Sequence, residues 1–218
     1  MEKSRPKITI SSAISIDGKI SSKCNDSKLS SNDDLKRLHK LRSTYDAILV
    51  GKNTVLKDNP LLTVRFTKGK NPIRIILDSR GEIPKESKIL VTSKKFPTII
   101  AVSKNISKNN LEKLKQFPVE IIISGKDTVN LKNLLEKLVQ KGIKSILVEG
   151  GGTTNWEFVK KNLFDEIIVT ISPFLLGGEK SISFIRGSGF SKLSKSPKLK
   201  IHSIKRLSNH LVVNYRKV

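Results

Sequence analysis

The sequence of 218 residues has very little of what a disulfide framework or a metal site needs. Its single cysteine, Cys24, excludes an intrachain disulfide. The three histidines, His39, His202 and His210, are far apart in the chain, so no Cys/His pattern has the spacing of a zinc site. We therefore expect no bound metal.

Long hydrophobic runs are also missing. No stretch approaches the roughly 18 to 20 apolar residues that a membrane span needs. The polar start, Met1 to Pro6, lacks the apolar segment of a signal peptide. We expect a cytoplasmic protein with no membrane partner.

Acidic residues are scarce: 19 Asp and Glu stand against 42 Lys and Arg, which gives a net charge of +23. Such a charge alone would indicate a nucleic-acid-binding protein, and this alternative stays open. However, the basic residues are scattered along the chain and have no interleaved aromatic residues, which favours a solvated surface and no nucleic-acid partner. The positive potential would still attract anionic ligands.

What the sequence does contain is a series of short apolar runs separated by helical patterns, which predicts alternating strands and helices. We expect an α/β fold with a mostly parallel central sheet flanked by helices, a C-terminal antiparallel hairpin, and one domain over residues 1–218. Strands are predicted at 7–14, 46–51, 72–78, 98–102, 119–124, 145–149, 166–171, 198–206 and 211–215. Helices are predicted near 32–43, 107–116, 131–141 and 155–161, with a helical or turn piece through Asp58. Residues 208–210 read as the hairpin turn.

Three polar clusters follow predicted strands. After 145–149, three glycines open into a helix, an arrangement in which a backbone can approach a phosphate closely and the helix start offers free N–H groups. A tight structural turn explains the same glycines. Asp17-Gly18 also reads as an ordinary turn, and in the cluster after Gly51, Thr54 reads as a helix cap and Asp58 as a turn former. No cluster identifies a function by itself.

The order of these clusters resembles the reductase family of riboflavin biosynthesis, a relative of dihydrofolate reductase, across nearly the whole chain. The matching pieces are Ser15–Lys19, His39–Arg42, Gly51 with Thr54–Pro60, Leu62–Arg65, Leu77–Ser79, Val148–Thr154, and Pro173 with Gly177-Gly178. Asn59 and Lys52 depart from the family, where a second acidic residue and a small residue are common.

The resemblance implies the site residues. The cofactor NADPH, with NADH as an alternative, would contact Ala13, Leu29, Thr54, Asp58, Ser79, Gly151, Gly152, Thr153, Thr154 and Asn155. The substrate would be held by Ser27, Arg42, Leu62, Arg65 and Glu149. Asp58 and Glu149 are the candidate catalytic acids. A 2′-phosphate of the cofactor would lie near Ser79 and Arg80.

The implied reaction is the NADPH-dependent reduction of a phosphoribosylamino-diaminopyrimidinone to its ribitylamino product. The chain lacks the motifs of a zinc deaminase, which favours the archaeal and fungal order of reduction before deamination. Reduction of the deaminated uracil and reduction of a pterin are the enzymatic alternatives. Relatives commonly pair as homodimers, and we expect the same here.

Overall fold

The computed structural model describes residues 5–218, which form two compact units. The first comprises Lys40–Leu147 together with residues 5–7, and the second comprises Ile8–His39 and Val148–Val218. Most of the polar start, on which the signal-peptide argument rests, lies outside the described residues. None of the helices within 5–218 is long and apolar enough to cross a membrane.

The helices and strands alternate along the chain. In order they are β1 (Lys7–Ile14), β2 (Lys19–Ser21), α1 (Asn32–Arg42), β3 (Ala47–Gly51), α2 (Lys52–Asp58), β4 (Ile73–Leu77), α3 (Lys88–Val91), β5 (Thr98–Val102), α4 (Lys108–Lys115), β6 (Glu120–Ile123), α5 (Leu131–Gln140), β7 (Ser145–Val148), α6 (Gly152–Lys160), β8 (Glu166–Ile171), β9 (Ile182–Ser183), β10 (Leu199–Leu207) and β11 (His210–Lys217). A short 3₁₀ turn spans Leu193–Lys195.

The first unit contains the strand order β7-β3-β4-β5-β6, and the β3–β4, β4–β5 and β5–β6 pairs are parallel. All five residues of β3 and of β5 are buried, as expected for parallel strands covered on both faces. Its core consists of Ile48, Val50, Val55, Leu62, Ile76, Ile83, Ile89, Leu90, Ile100, Val102 and Leu114. Because the strands are parallel, the segments that follow them leave from the same sheet edge.

The second unit contains the strand order β10-β11-β8-β1, in which β1 and β8 are parallel and β11 is antiparallel to both β8 and β10. A separate small sheet pairs β2 with β9. The predicted fold class, a mostly parallel α/β arrangement that ends in an antiparallel hairpin, is confirmed.

Several boundaries differ from the sequence prediction. Helix α6 begins at Gly152, three residues earlier than predicted, because Gly151 takes the extended cap position and its carbonyl already accepts from the Asn155 N–H. The hairpin turn contains only Ser208 and Asn209, since His210 pairs with Leu207 as the first residue of β11. The positive φ of Ser208, 53°, provides the reversal that a two-residue turn requires. The short elements β2, α3 and β9 were not predicted.

Candidate active site

In the first unit, the structure brings together the two arginines that the sequence assigned to the substrate. Arg42 is the last residue of α1 and is buried, and its Nη1 donates to the Thr63 carbonyl over 3.1 Å. Arg65 is exposed. Desolvation lowers the pKa of the Arg65 guanidinium, and the nearby charge of Arg42 lowers it further. Two guanidinium groups in this arrangement have the charge and the planar donors that can bind a doubly charged anion such as a phosphate monoester.

The segment between α2 and Arg65 has no regular secondary structure and an unusual backbone. Asn59 ends α2 in the left-handed conformation, and Leu62 also has a positive φ, 54°. The Leu62 side chain is buried in the core of the unit. Leu62 therefore anchors the segment that presents Arg65, and its contact with substrate stays a prediction.

Helix α2 carries Thr54 and Asp58 four residues apart, which places both on one face. The interpretation of Thr54 as a helix cap is wrong: Gly51 occupies the cap, and Thr54 lies in the first turn of the helix. Asp58 is exposed overall, yet partial desolvation of its carboxyl raises its pKa, against the opposing charge of Lys57. A carboxyl with a raised pKa is a better proton donor near neutral pH.

Ser79 follows β4 at the carboxyl edge of the parallel strands. Its hydroxyl accepts from the Val129 N–H over 3.1 Å, and its carbonyl accepts from both the N–H and the hydroxyl of Ser103. The preceding Asp78 is buried, which raises its pKa, and one carboxyl oxygen accepts from the Ile83 N–H over 2.8 Å. Ser79 is thus fixed among three loops, in a position where its hydroxyl hydrogen is free to donate.

The glycine-rich turn of the second unit leads into α6. Gly151 is extended, with φ −71° and ψ 170°, and no side chain caps the helix. The N–H groups of its first turn, at Gly152, Thr153 and Thr154, have no acceptor within the helix. Together with the helix dipole they form a site for an anion.

Two glycines of this turn have packing reasons as well. A Cβ on Gly150 would lie 2.8 Å from the Thr154 side chain, and one on Gly152 would collide with the Ser183 carbonyl oxygen. A tight structural turn, the alternative to a phosphate site, therefore explains why positions 150 and 152 are glycine. Gly151 has an ordinary extended backbone, so its backbone conformation does not require glycine, and its contact with a cofactor stays a prediction.

Asn155 locks α6 to the chain around β9. It is fully buried, and its Nδ2 donates to the Phe184 carbonyl over 2.9 Å, while the Arg186 N–H donates to the Gly152 carbonyl. Its Oδ1 has no hydrogen-bond partner among residues 5–218. Sequence reasoning missed Phe184 and Arg186, because no motif marks them.

The remaining predicted site residues of the second unit lie on β1, between β2 and α1, and directly after β7. Ala13 on β1 is half-buried, Ser27 is exposed, and Glu149 is half-buried directly after β7. Leu29 is buried, and its carbonyl accepts from the Ser172 hydroxyl over 2.7 Å and contacts His210 Nε2 at 3.1 Å. Sequence reasoning placed His210 in a turn and so missed its contact with the segment between β2 and α1.

Metal ligands are not gathered anywhere in the described part of the chain: no three His, Cys, Asp or Glu side chains lie together in a way that would hold an ion. Cys24 is an exposed free thiol.

Comparisons with known proteins identify relatives of this chain. A family model described as the RibD C-terminal domain matches residues 6–213. A 2,5-diamino-6-ribosylamino-4(3H)-pyrimidinone 5′-phosphate reductase of Aquifex aeolicus is 41% identical over 204 residues, 91% of each chain. The enzyme of the same name from Methanothermobacter thermautotrophicus is 34% identical over 97% of this chain and 98% of its own.

Among solved structures, a Thermotoga maritima deaminase and 5-amino-6-(5-phosphoribosylamino)uracil reductase is 29% identical, with a TM-score of 0.80. The match covers 98% of this chain and 57% of that one. A pyrimidine reductase-like protein of Corynebacterium diphtheriae, 22% identical, has the same fold with a TM-score of 0.83 over 98% of this chain and 92% of its own. The family match and the identity to the two named reductases together mean that this chain belongs to the RibD C-terminal domain family, a family of riboflavin-biosynthesis reductases.

Proposed function

We propose that this chain reduces 2,5-diamino-6-ribosylamino-4(3H)-pyrimidinone 5′-phosphate to the ribitylamino phosphate with NADPH. The observation that carries the proposal is the match to a reductase family over residues 6–213, and the charges of Arg42 and Arg65, which act on each other, supply groups suited to a phosphate. A pterin has no phosphate monoester to engage such a pair, which argues against a dihydrofolate-reductase-like activity.

In this proposal the arginines hold the ribose 5-phosphate. Arg42 is oriented by its hydrogen bond to the Thr63 carbonyl, and Arg65 reaches from an exposed position. The fixed planar donors of arginine match the oxygens of a phosphate, and the negative charge of the phosphate attracts both guanidinium groups. Ser27, Leu62 and Glu149 are proposed to contact the rest of the substrate, with the Glu149 carboxylate accepting from pyrimidine amino groups.

The described residues also fit a nicotinamide dinucleotide. The uncapped first turn of α6 offers N–H groups to a pyrophosphate, and Thr153 and Thr154 add hydroxyl groups there. We assign Ala13, Leu29, Thr54, Asp58, Ser79 and the turn from Gly151 to Asn155 to this cofactor. The hydroxyl of Ser79 and the charge of Arg80 would favour NADPH over NADH through the 2′-phosphate.

The reaction needs an open-chain substrate. The ribosylamine ring opens as the C1′–O4′ bond breaks and the proton of the nitrogen that joins the sugar to the pyrimidine passes to O4′. An imine between C1′ and that nitrogen results. The bound cofactor supplies a hydride to C1′. That nitrogen then takes up a proton, and Asp58, with its raised pKa, and Glu149 are the proposed sources. The arginines hold the phosphate end so that C1′ stays in one place during the transfer.

The choice between the diamino substrate and its deaminated uracil analogue is a finer point. The reductase of Aquifex aeolicus that is 41% identical is named for the diamino compound. A riboflavin biosynthesis protein RibD of the same organism is 39% identical, and this chain spans 58% of its length. We propose the diamino compound, because the chain spans nearly the full length of the relatives named for it and carries no deaminase motif.

The test is the fall in NADPH absorbance with three substrates: the diaminopyrimidinone ribosylamine phosphate, its uracil analogue and dihydrofolate. We expect turnover of the diamino compound. Preference for the uracil would reverse the order of the two steps, and oxidation of NADPH with dihydrofolate alone would overturn the proposal. Repeating the assay with NADH measures the cofactor preference.

We further propose that residues 1–218 act as one domain, that two copies form a homodimer, and that the protein works in the cytoplasm without a nucleic-acid partner. The chain passes between its two compact units three times, so neither unit is a separable piece of sequence. Sedimentation equilibrium would measure the number of copies.

A further inference from the structure

Arg74 on β4 is the largest fully buried side chain of the described residues, and its charge has no carboxylate partner there. Its guanidinium instead donates to five neutral oxygens. These are the carbonyls of Leu61 (3.3 Å), Ile89 (2.9 Å) and Phe96 (3.1 Å) and the hydroxyls of Thr92 (2.8 Å) and Thr98 (2.6 and 3.0 Å). The Phe96 ring lies 5.4 Å from the guanidinium carbon. Burial lowers the pKa of Arg74 to about 10, which leaves it charged at neutral pH.

Burying a charge without a counterion is expensive, and an apolar side chain would fill the same space at lower cost. The guanidinium differs from an apolar side chain because it holds several backbone carbonyls in fixed directions. One rigid planar group joins backbone carbonyls from three separate segments, a task for which neither lysine nor an apolar residue has enough directed donors.

One of those segments leads directly to the proposed phosphate site. The chain from Asn59 to Arg65 lies in no helix or strand, so its shape depends on side chains that hold its backbone. Arg74 holds the carbonyl of Leu61, Arg42 holds that of Thr63, and the Asn71 Oδ1 accepts from the Val64 N–H over 2.7 Å.

The contact to Leu61 immediately precedes the strained residue of the segment. Leu62 has a left-handed backbone, a conformation that a branched apolar residue adopts only when its surroundings impose it. Arg74 holds the residue before Leu62, and Asn71 holds Val64, two residues after it. These are two of the contacts that impose the backbone conformation of Leu62. If they were released, Leu62 would relax toward negative φ and the direction in which the chain presents Arg65 would change.

We infer that Arg74 and Asn71 are positioning residues for the substrate: they fix the segment Leu61–Arg65 so that Arg65 meets the 5-phosphate, without touching it themselves. The inference rests on the proposed function, because it assumes that Arg65 binds this phosphate.

The test measures the KM for the pyrimidine substrate and the KM for NADPH in the variants Arg74→Lys and Asn71→Ala. In both variants we expect the KM for the pyrimidine substrate to rise, on the order of tenfold, because a small displacement of a binding group is costly. The KM for NADPH should stay within about twofold and kcat should change little, which is the pattern of lost ground-state and transition-state binding alike. Thr92→Val is the matched control, since it removes a contact of the same guanidinium on the α3 side and leaves the Leu61 carbonyl held.

Each outcome decides the matter. Unchanged substrate KM in folded Arg74→Lys, or an equal rise in both Michaelis constants, would overturn the inference, because a merely structural arginine would alter stability or both sites alike. If Arg74→Lys does not fold, Asn71→Ala decides by the same criterion. Failure of the wild-type protein to turn over the pyrimidine would instead refute the proposed function, so the two failures are distinguishable.

Discussion

Arg42 and Arg65 carry two positive charges that lie close enough to act on each other. Each carries a full positive charge, and the charge of Arg42 lowers the pKa of Arg65, which is the sign of repulsion between them. Arg42 is buried and bonded to backbone, so it is part of the fold, whereas Arg65 is exposed and is therefore the cleaner residue to change.

We expect Arg65→Ala to raise the KM for the pyrimidine substrate roughly 10- to 100-fold, since a charge-assisted hydrogen bond contributes about 1.5 to 3 kcal/mol. The thermal midpoint and the KM for NADPH should change little. Lys68→Ala, a change of equal charge at a nearby exposed residue, is the control. Equal effects of the two substitutions would mean that only general charge attracts the substrate.

Asp17 provides a prediction on pH dependence. Its carboxylate accepts from the N–H groups of Leu176 and Gly177 over 3.0 and 2.8 Å. The hydrogen bond from Leu176, followed by one from Ser15, lowers the pKa of Asp17 to about 2. A depressed carboxyl pKa contributes stability that is present above the unfolded value near 4 and is lost as the pH falls through the folded value.

We therefore expect Asp17→Asn to lower the free energy of unfolding at pH 7, and the difference from the wild type to vanish as the pH falls from about 4 toward about 2. Urea unfolding at a series of pH values measures this. Because the side chain is exposed, the effect at neutral pH should be small. A difference that grows at low pH would contradict the assignment.

At the scale of elements, the two glycines at the start of α6, Gly151 and Gly152, differ in why glycine is present. Gly152 has no room for a side chain, since a Cβ would collide with the Ser183 carbonyl oxygen. Gly151 has a backbone conformation open to any residue and lies beside the free N–H groups of the first turn. Substitutions at the two positions should therefore fail for different reasons.

We expect Gly151→Val to weaken NADPH binding by about tenfold or more, equivalent to about 1.4 kcal/mol, with the fold intact. Gly152→Ala should instead lower the free energy of unfolding by about 1 to 3 kcal/mol through overpacking. Fluorescence titration with NADPH and thermal unfolding measure the two effects. Unchanged NADPH affinity in Gly151→Val would remove this turn from the cofactor site.

Most of the longer elements were predictable, and the shortest ones were not. The helix Leu131–Gln140 buries Leu131, Leu134, Leu135 and Leu138 at helical spacing, and short runs of buried apolar residues such as Ala47–Val50 predict the strands. The elements β2, α3 and β9 contain two to four residues, too few for any period, and depend on contacts with distant segments.

The candidate site was predictable only in part. The resemblance supplied its residues, and the assignment of Arg42 and Arg65 to the substrate stays a prediction, although the charge of Arg42 acts on Arg65. Nothing in the sequence pointed to Arg74, which reads as one polar residue within an apolar strand, or to His210, which reads as a turn. Both act through hydrogen bonds to the backbone of residues distant in sequence, and such bonds leave no local pattern.

At the scale of the whole molecule, the chain carries a net charge of +23, and its proposed reactants are both anions. A positive field speeds the capture of anions and is screened by salt. We expect kcat/KM for the pyrimidine substrate to fall several-fold between about 0.02 M and about 0.5 M sodium chloride, while kcat stays nearly constant. Duplex DNA at about 0.15 M salt should not inhibit. Strong inhibition there would favour the nucleic-acid-binding alternative.

The parallel pairing of β1 with β8 joins the beginning of the chain to a strand near its end, with the Ile8 N–H donating to the carboxylate of Asp165, 157 residues away. On the ribosome, β1 emerges before β8 and must wait until the residues between the two strands have been made. During that interval Ile8 and Ile10, which are fully buried in the finished fold, have no strand β8 beside them. Synthesis therefore passes through a stage with an unsatisfied apolar strand, and this stage, rather than the stability of the finished molecule, is where aggregation during expression should begin.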